Sequence, residues 1–508
     1  MALNDIIFVK GQGGLGRPLT GEDHISGLLF YTANGNLPSG WSTTSRVKAL
    51  YSVADAEKAG IKDDYSDATA ATATYLISTK GNTGDTIQWK YTDAAGNVLD
   101  LGTYTVASGE NSIALQGAAW AAIINAGTIN HGCSASFDTA TLTVTLPKSQ
   151  GVYPNSGTPN AITLTGAFAG TLTQNVVAGV ASKQAVWHYH ISEFFRLQPK
   201  GVLYVGFFAV PGSYTFSDIQ TIQVFANGKI RQIGVYVDGA TFNTAHLTTI
   251  QGVCDTLAGL HMPLSVIYAA NMVSVTDLST LTDLNSLSNG NVSPVISQDG
   301  ASLGAFLYIT VGKSITTLGA LLGAVALAKV SEDIAWVSKF NISNGIECDT
   351  IAFANGTKLK DVSQSLLNQL DDYRYIFLIK YVGIAGSFFN DSHTAISSSS
   401  DYAYIENNRT IDKAIRGVYK TLLPELNGPL QLNADGTLTD GTVAYLESQA
   451  AISLDEMVRN TELSAYSVTI DPSQNVLSTG EVVVAVQLLP IGVARQITVN
   501  IGFTTSIQ

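Results

Sequence analysis

The chain has 508 residues, with 27 Lys and Arg against 40 Asp and Glu, for a formal net charge of −13. Charged residues make up only 13%, half the ~25% typical of globular domains, while hydrophobic residues reach 45%, enough for several buried cores. The acidic balance argues against a nucleic-acid binder, since no dense basic patch is present, and a surface this poor in charge points to an assembly protein covered by other subunits, although a Thr/Gly-rich extracellular β protein has the same composition.

The length predicts roughly three or four domains. The opening Met-Ala-Leu-Asn-Asp lacks the basic and apolar regions of a secretory leader. The longest apolar segment, residues 315–330, is broken by Thr and Gly and is too short to span a bilayer, so a buried helix is expected there. Cys133, Cys254 and Cys348 are odd in number and far apart, which builds neither a disulfide framework nor a zinc spacing. They read as buried thiols of a protein folded in a reducing cytoplasm.

In chain order, a short apolar strand is predicted at Ile6, Ile7, Phe8 and Val9, followed by the turn Gly11-x-Gly13-x-x-Gly16. That turn matches a dinucleotide fingerprint in spacing, but Arg17-Pro18 follows and no helix starts there to face a pyrophosphate. A second strand is predicted over residues 25–31 and a helix over residues 45–59, with Val47, Leu50, Tyr51 and Ala54 inward. From Thr69 to about Ser182 the chain is rich in Thr, Ala and Gly and alternates with period two, as in residues 86–91 and 142–146. One helix, residues 113–125, interrupts this β-rich insertion.

From Gln184 to about Arg374 strands and helices alternate. Strands are predicted over 202–208, 233–237, 264–268 and 306–310, and helices over 217–225, 244–260, 317–330 and 362–371. Near-continuous apolar strands argue for a largely parallel sheet covered on both faces. His188 and His190 share one side of a segment read as extended, with no third ligand nearby. Glu332-Asp333 and Asp371-Asp372 read as solvated acidic pairs. There is no Gly-x-Ser-x-Gly elbow, P-loop or metalloprotease helix, so no enzyme activity, cofactor or metal is expected.

The last part begins with a strand over 375–382 and continues into a helix from about Asn408. On that helix Arg409, Lys413, Arg416 and Lys420 are spaced four, three and four apart and fall on one face, with Ile411, Ile415, Val418 and Leu422 roughly opposite. On a chain of net charge −13 such a basic ridge suits an acidic partner, although a solvated surface helix has the same pattern. A second helix is predicted over 442–461 and a strand over 481–489. The final strand, 495–503, places Ile497, Val499, Ile501 and Phe503 on one face. Patterned strands at both ends can leave their own domain and complete a neighbour's sheet.

Four stretches resemble the contractile tail sheath proteins of bacteriophages and related tailocins. They are Gly16-Arg-Pro-Leu-Thr-Gly-Glu-Asp-His-Ile-Ser-Gly-Leu-Leu-Phe-Tyr31, the β-rich insertion, Leu318-Gly-Ala-Leu-Leu-Gly-Ala-Val-Ala-Leu-Ala-Lys-Val-Ser-Glu-Asp-Ile-Ala-Trp336, and Ser400-Asp-Tyr-Ala-Tyr-Ile-Glu-Asn-Asn-Arg-Thr-Ile-Asp-Lys-Ala-Ile-Arg416. The resemblance implies an α+β multidomain chain. Residues 1–68 would be an N-terminal arm and the first part of the core, 69–183 a β-rich inserted outer domain, 184–374 an α/β core, and 375–508 a tube-facing C-terminal domain with exchanged terminal strands.

It further implies a non-enzymatic virion tail subunit that is assembled in the bacterial cytoplasm. Such a subunit polymerises helically around the tail tube and contracts to drive the tube through the host envelope for genome ejection. Its partners would be other copies of itself through terminal strand exchange, the tail tube protein, and the baseplate and tail terminator proteins, with no direct nucleic-acid contact and no membrane insertion. Ile6 to Val9 and Ile497 to Phe503 would be the intersubunit arms. The ridge of Arg409, Lys413, Arg416 and Lys420 would face the tube, unless the helix over 442–461 makes that contact or the ridge serves sheath–sheath salt bridges. A β-rich tail fibre, adhesin or other virion structural protein is the alternative reading.

Overall fold

The computed structural model describes residue 19 and residues 21–503. The strand expected at Ile6, Ile7, Phe8 and Val9 and the glycine-rich turn after it lie outside the described residues. The chain begins with β1 (Ile25–Tyr31), in which every residue is buried. β2 (Val47–Leu50) and α1 (Val53–Lys58) follow. Residues 45–59 are therefore not one helix as expected. Their apolar spacing has the helical period, but Val47 to Leu50 pair antiparallel with a later strand, Gly206 to Leu203, which satisfies their backbone groups in a ladder instead. Tyr51, predicted inward, is 62% exposed. Ser52 then caps α1 by accepting from the Asp55 N–H.

The insertion holds β3 (Thr72–Thr79), β4 (Thr86–Thr92), β5 (Val98–Thr105), α2 (Ile113–Ala126), α3 (Thr128–His131), β6 (Ser134–Asp138), β7 (Thr141–Thr145), β8 (Asn160–Leu164) and β9 (Ala169–Val177). These strands form two antiparallel sheets, β6-β7-β3-β9 and β5-β4-β8. Period-two alternation sends Tyr75, Trp89, Tyr91 and Leu142 into a core shared with Trp120 of α2 and Cys133. The insertion is tied to the rest of the chain at its root. Thr69 bridges Val180, the Val152 N–H donates to the Thr310 carbonyl at 2.8 Å, and Asp67 accepts from the N–H groups of Lys183 and Gln184.

The central region runs through α4 (Lys183–Leu197), β10 (Val202–Phe208), α5 (Asp218–Phe225), β11 (Gln232–Thr241), α6 (Thr244–Gly259), β12 (Ser265–Asn271), β13 (Ser288–Asn289), β14 (Val292–Pro294), β15 (Ser297–Asp299), α7 (Leu303–Val311), α8 (Leu318–Leu327), β16 (Ile351–Phe353), α9 (Gln364–Asp372), β17 (Leu378–Ile379), β18 (Phe388–Phe389) and β19 (Ala395–Ile396). Its main sheet has the order β14-β12-β11-β1-β10-β2 and is parallel except at β2. Leu28 and Phe30 of β1 join one core with residues of α4 and α8, while Leu29 and Tyr31 join a second core with residues of α5 and α6. Both faces of the sheet are therefore covered.

Residues 306–310, expected as a strand, lie in α7. A five-residue apolar run cannot distinguish the two periods, and two carboxylates outside it decide it here, one just before the run and one 44 residues beyond Leu303. Asp299 Oδ2 accepts from the N–H groups of Ser302 and Ala305, and Glu347 Oε1 accepts from that of Leu303, which together satisfy the first turn. Gly312, in the left-handed region at φ 69°, ends the helix.

His188 and His190 also lie on a helix, α4, rather than on an extended segment. His188 Nε2 lies 3.1 Å from Glu57 Oε1. His190 is fully buried beside the rings of Phe30 and Tyr236, with no hydrogen-bond partner on either ring nitrogen. Burial lowers its pKa to about 3. The unfolded chain then binds one more proton than the fold between about pH 3 and pH 6.5, so stability falls as pH drops through that window. The loss reaches about 2 kcal/mol at pH 5. In urea unfolding at pH 7.5 and pH 5, His190→Phe should lose about 2 kcal/mol less on acidification than the natural chain. Equal losses would show that His190 titrates freely.

The C-terminal part comprises α10 (Ile405–Leu422), α11 (Asp440–Arg459), β20 (Leu463–Ile470), α12 (Val476–Thr479) and β21 (Val484–Pro490). β20 has no counterpart among the predicted strands. It pairs antiparallel with β21 in a two-stranded sheet, which packs through Tyr466, Val468, Val486 and Leu488 on Ala414 of α10 and on Leu454 and Met457 of α11. Beyond Pro490, the described residues 491–503 enter no strand. The three cysteines are buried and unpaired with one another.

Candidate functional site

The basic helix turns most of its ridge inward. Arg409 is 3% exposed. Its guanidinium donates to the carbonyls of Ala328 and Lys329, just past α8, and to the carbonyl of Asp23, each at 3.2 Å. Lys413 Nζ lies 2.6 Å from both Asp23 Oδ2 and Glu462 Oε1. Arg416 sits 4.0 Å from Asp23 Oδ1, with its side chain 17% exposed. Only Lys420, of these four, is exposed. On the other side Ile415, at 48%, is exposed instead of buried, as are Tyr419 and Leu423. The expected outward row of charges is therefore corrected for Arg409, Lys413 and Arg416. Periodicity identifies residues that share a face, but orphan carbonyls and carboxylates far away in sequence decided which way that face points.

The electrostatics follow from this burial. Burial acts to raise the Asp23 carboxyl, yet the charge and hydrogen bond of Lys413 outweigh it and hold Asp23 below its ordinary value. Burial pushes Asp412 up to about 6 against the pull of Arg416 and Arg231. It also lowers Arg416 to about 10, helped by the neighbouring Arg231 charge.

A second cluster forms where the chain leaves β21. The Arg495 guanidinium reaches three carboxylates. Nε lies 3.0 Å from Asp391 Oδ2, Nη2 lies 3.3 Å from Asp333 Oδ2, and Nη2 also donates to Glu406. The guanidinium carbon stands 3.4 Å from the centroid of the Tyr404 ring. Asp333 and Glu406 are 7% and 4% exposed at their side chains. Asp333 is thus not the solvated acid its sequence suggested. Burial, reinforced by Glu406 and Asp391, pushes its pKa up to about 8, with Arg495 opposing. Asp371 is likewise engaged, with His393 Nε2 at 2.9 Å. The partners of Arg495 come from three separate places in the chain, and of them only Asp333 stood out in the sequence, as half of an acidic pair.

Past Arg495 the described chain enters no regular element and its apolar residues are bare. Ile497, Val499, Ile501 and Phe503 are 79%, 70%, 91% and 111% exposed. A cleft of about 1400 Å³ beside the arm root is lined by Trp336, Tyr381, Asp371, Ile491 and Ile497 among others. Among the described residues no group of three or more His, Cys, Asp or Glu is arranged to hold a metal, and no helix is long and apolar enough to cross a membrane.

The N-terminal domain of the family DUF2586 matches residues 3–393, and its C-terminal domain matches residues 401–508. The chain belongs to that family. It is similar to the helical sheath of the anti-feeding prophage in its contracted state, at 14% identity and a TM-score of 0.45, covering 63% of this chain and 81% of that one. It is also similar to a chain of the anti-feeding prophage baseplate, at 14% identity and a TM-score of 0.42, covering 66% of this chain and 84% of that one. No curated protein sequence matches it.

Proposed function

We propose that the chain is a structural subunit of a contractile tail sheath, which polymerises around a tail tube in a metastable extended lattice and contracts to drive the tube through the host envelope. One observation carries this reading. The segment from Ile497 to Phe503 presents four bare apolar side chains, on a chain whose β20–β21 pair has only two strands. Burying each large apolar side chain is worth about 1.5–3 kcal/mol. A two-stranded pair offers main-chain edges to an incoming strand. The arm of one copy fits the open sheet of another, giving a mesh in which subunits can rotate while staying joined.

The energy of contraction would be the difference in contact between two packings of the same subunits, stored at assembly. The tube contact is assigned to the exposed end of α10 around Lys420 and to the neighbouring α11, since the charges of Arg409, Lys413 and Arg416 are engaged inside the subunit. Baseplate and tail terminator proteins would bound the lattice at its two ends. Such a subunit would be assembled in the host cytoplasm and would reside in the tail.

The test is electron microscopy of the purified full chain beside a truncation ending at Gln496, which removes the apolar arm and keeps Arg495. Hollow helical tubes from the full chain alone are expected. Discrete particles from both would overturn the proposal.

A further inference from the structure

The arm root is held unlike the arm itself. Between Pro490 and Phe503 the described main chain enters no strand, yet Arg495 within it makes a dense set of contacts. Its guanidinium meets Asp391, Glu406 and Asp333, lies within 3.5 Å of Ser392 Oγ, and stacks on Tyr404. The socket joins the start of a helix to loop residues. Tyr404 and Glu406 stand at the start of α10, and Asp391 and Ser392 follow β18. Ser392 Oγ lies 2.5 Å from Glu406 Oε2 and orients that carboxylate. An ammonium could not reproduce this arrangement, because only a planar fork reaches several carboxylates while laying its face on a ring.

We propose that Asp333, Asp391, Glu406 and Tyr404 form a guanidinium socket that pins the root of the C-terminal arm to its own subunit through Arg495. The inference rests on the arm reading above and adds its mechanics. The pivot of the link lies at residue 495 and not at the end of β21. The apolar residues 497–503 then lie within about 26–29 Å of that pivot, which bounds how far away the surface that buries them can sit. Arg495 is a positioning residue and contributes none of the apolar contact.

The experiment uses the full chain in its unassembled state. Spin labels at Gln496→Cys and Ser399→Cys report the distance from arm root to body, and the native cysteines are buried from the reagent. A single narrow distance distribution is expected with Arg495 present and a distribution at least twice as broad in Arg495→Ala, with Arg495→Lys closer to Ala than to Arg. The unfolding midpoint of each variant serves as the check on folding. A natural chain as broad as Arg495→Ala would overturn the socket. Failure of the full chain to form tubes would instead overturn the sheath reading, leaving the socket measurement standing.

Discussion

Lys413→Glu should cost the fold about 3–5 kcal/mol. Lys413 Nζ lies 2.6 Å from Asp23 and 2.6 Å from Glu462, whose side chains are 29% and 7% exposed. The substitution would place a third carboxylate against the nearly buried Glu462 and the part-buried Asp23, taking the Lys413 charge from both and leaving Asp23 with Arg416 at 4.0 Å. Removing one member of a buried pair is far more destabilising than losing an exposed one, which is worth about 0.2–1 kcal/mol. Adding Arg416→Glu should deepen the loss, because Arg416 faces both Asp23 and the buried Asp412. An outward-facing ridge would give the opposite result, a normal monomer defective only in binding a partner. Lys420→Glu supplies the contrast: exposed, it should shift stability by less than about 0.5 kcal/mol, and it is the ridge substitution suited to probing the tube contact. Denaturant unfolding at pH 7 decides the matter. A loss below 1 kcal/mol for Lys413→Glu would show that the N-terminal stretch around Asp23 does not stay docked on α10.

The contrast between that helix and the main sheet shows what a sequence carries. β1 was legible because Ile25 to Tyr31 is a mostly apolar run too short for a helix of ordinary length, broken only by Ser26 and Gly27. The elements α5, α6, α8 and α9 were legible from period and length. The strands between Thr72 and Val177 were legible from their alternation, which is how Tyr75 and Trp89 reach one core. What failed was whatever depends on partners far along the chain. The strand Val47–Leu50 mimics a helix until the edge of β10 is present. The run 303–311 begins as a helix with Glu347, 44 residues beyond Leu303, accepting from its first turn alongside the nearby Asp299. The socket for Arg495 joins residues 333, 391, 404, 406 and 495, and no local pattern relates them. β20 was missed for a plainer reason: it follows a 20-residue helix at once, across the left-handed Thr461 at φ 61°. The strand expected over 495–503 is not formed within the subunit, since alternation marks a face but supplies no partner strand; what the structure adds is that Ile497, Val499, Ile501 and Phe503 are exposed. The inward turn of Arg409 was not legible, since a basic stripe reads the same whether it meets water, a tube, or three of its own carbonyls.

Gly319→Ala should destabilise the chain by about 3 kcal/mol or more, and Gly319→Val should abolish recovery of folded protein. Two effects oppose each other at this position. Alanine is a better helix former than glycine by about 1 kcal/mol, so propensity alone predicts a gain. Packing predicts a loss, because α8 lies directly on the backbone of α4. A Cβ at 319 would stand 2.2 Å from the His190 carbonyl oxygen and 2.8 Å from the carbonyl carbon and Cα of the same residue. None of these atoms can rotate away, so the two helices must separate, and with them the core shared by Leu318, Leu321, Leu322, Ile191 and Phe194. Overpacking a close core typically costs about 1–3 kcal/mol, and a contact with backbone belongs at or beyond the upper end. Gly323, one turn along, is looser: its Cβ would meet the Phe194 carbonyl at 2.8 Å, so Gly323→Ala should lose less. Gly252, within α6, has nothing within 4 Å of its Cβ position, and Gly252→Ala should gain up to about 1 kcal/mol. The three substitutions are chemically identical and all lie in helices. Measured together by denaturant unfolding, they should rank Gly319 below Gly323 below Gly252, with a change of sign before the last. A gain at Gly319 would mean that α4 and α8 do not approach as closely as their glycines allow.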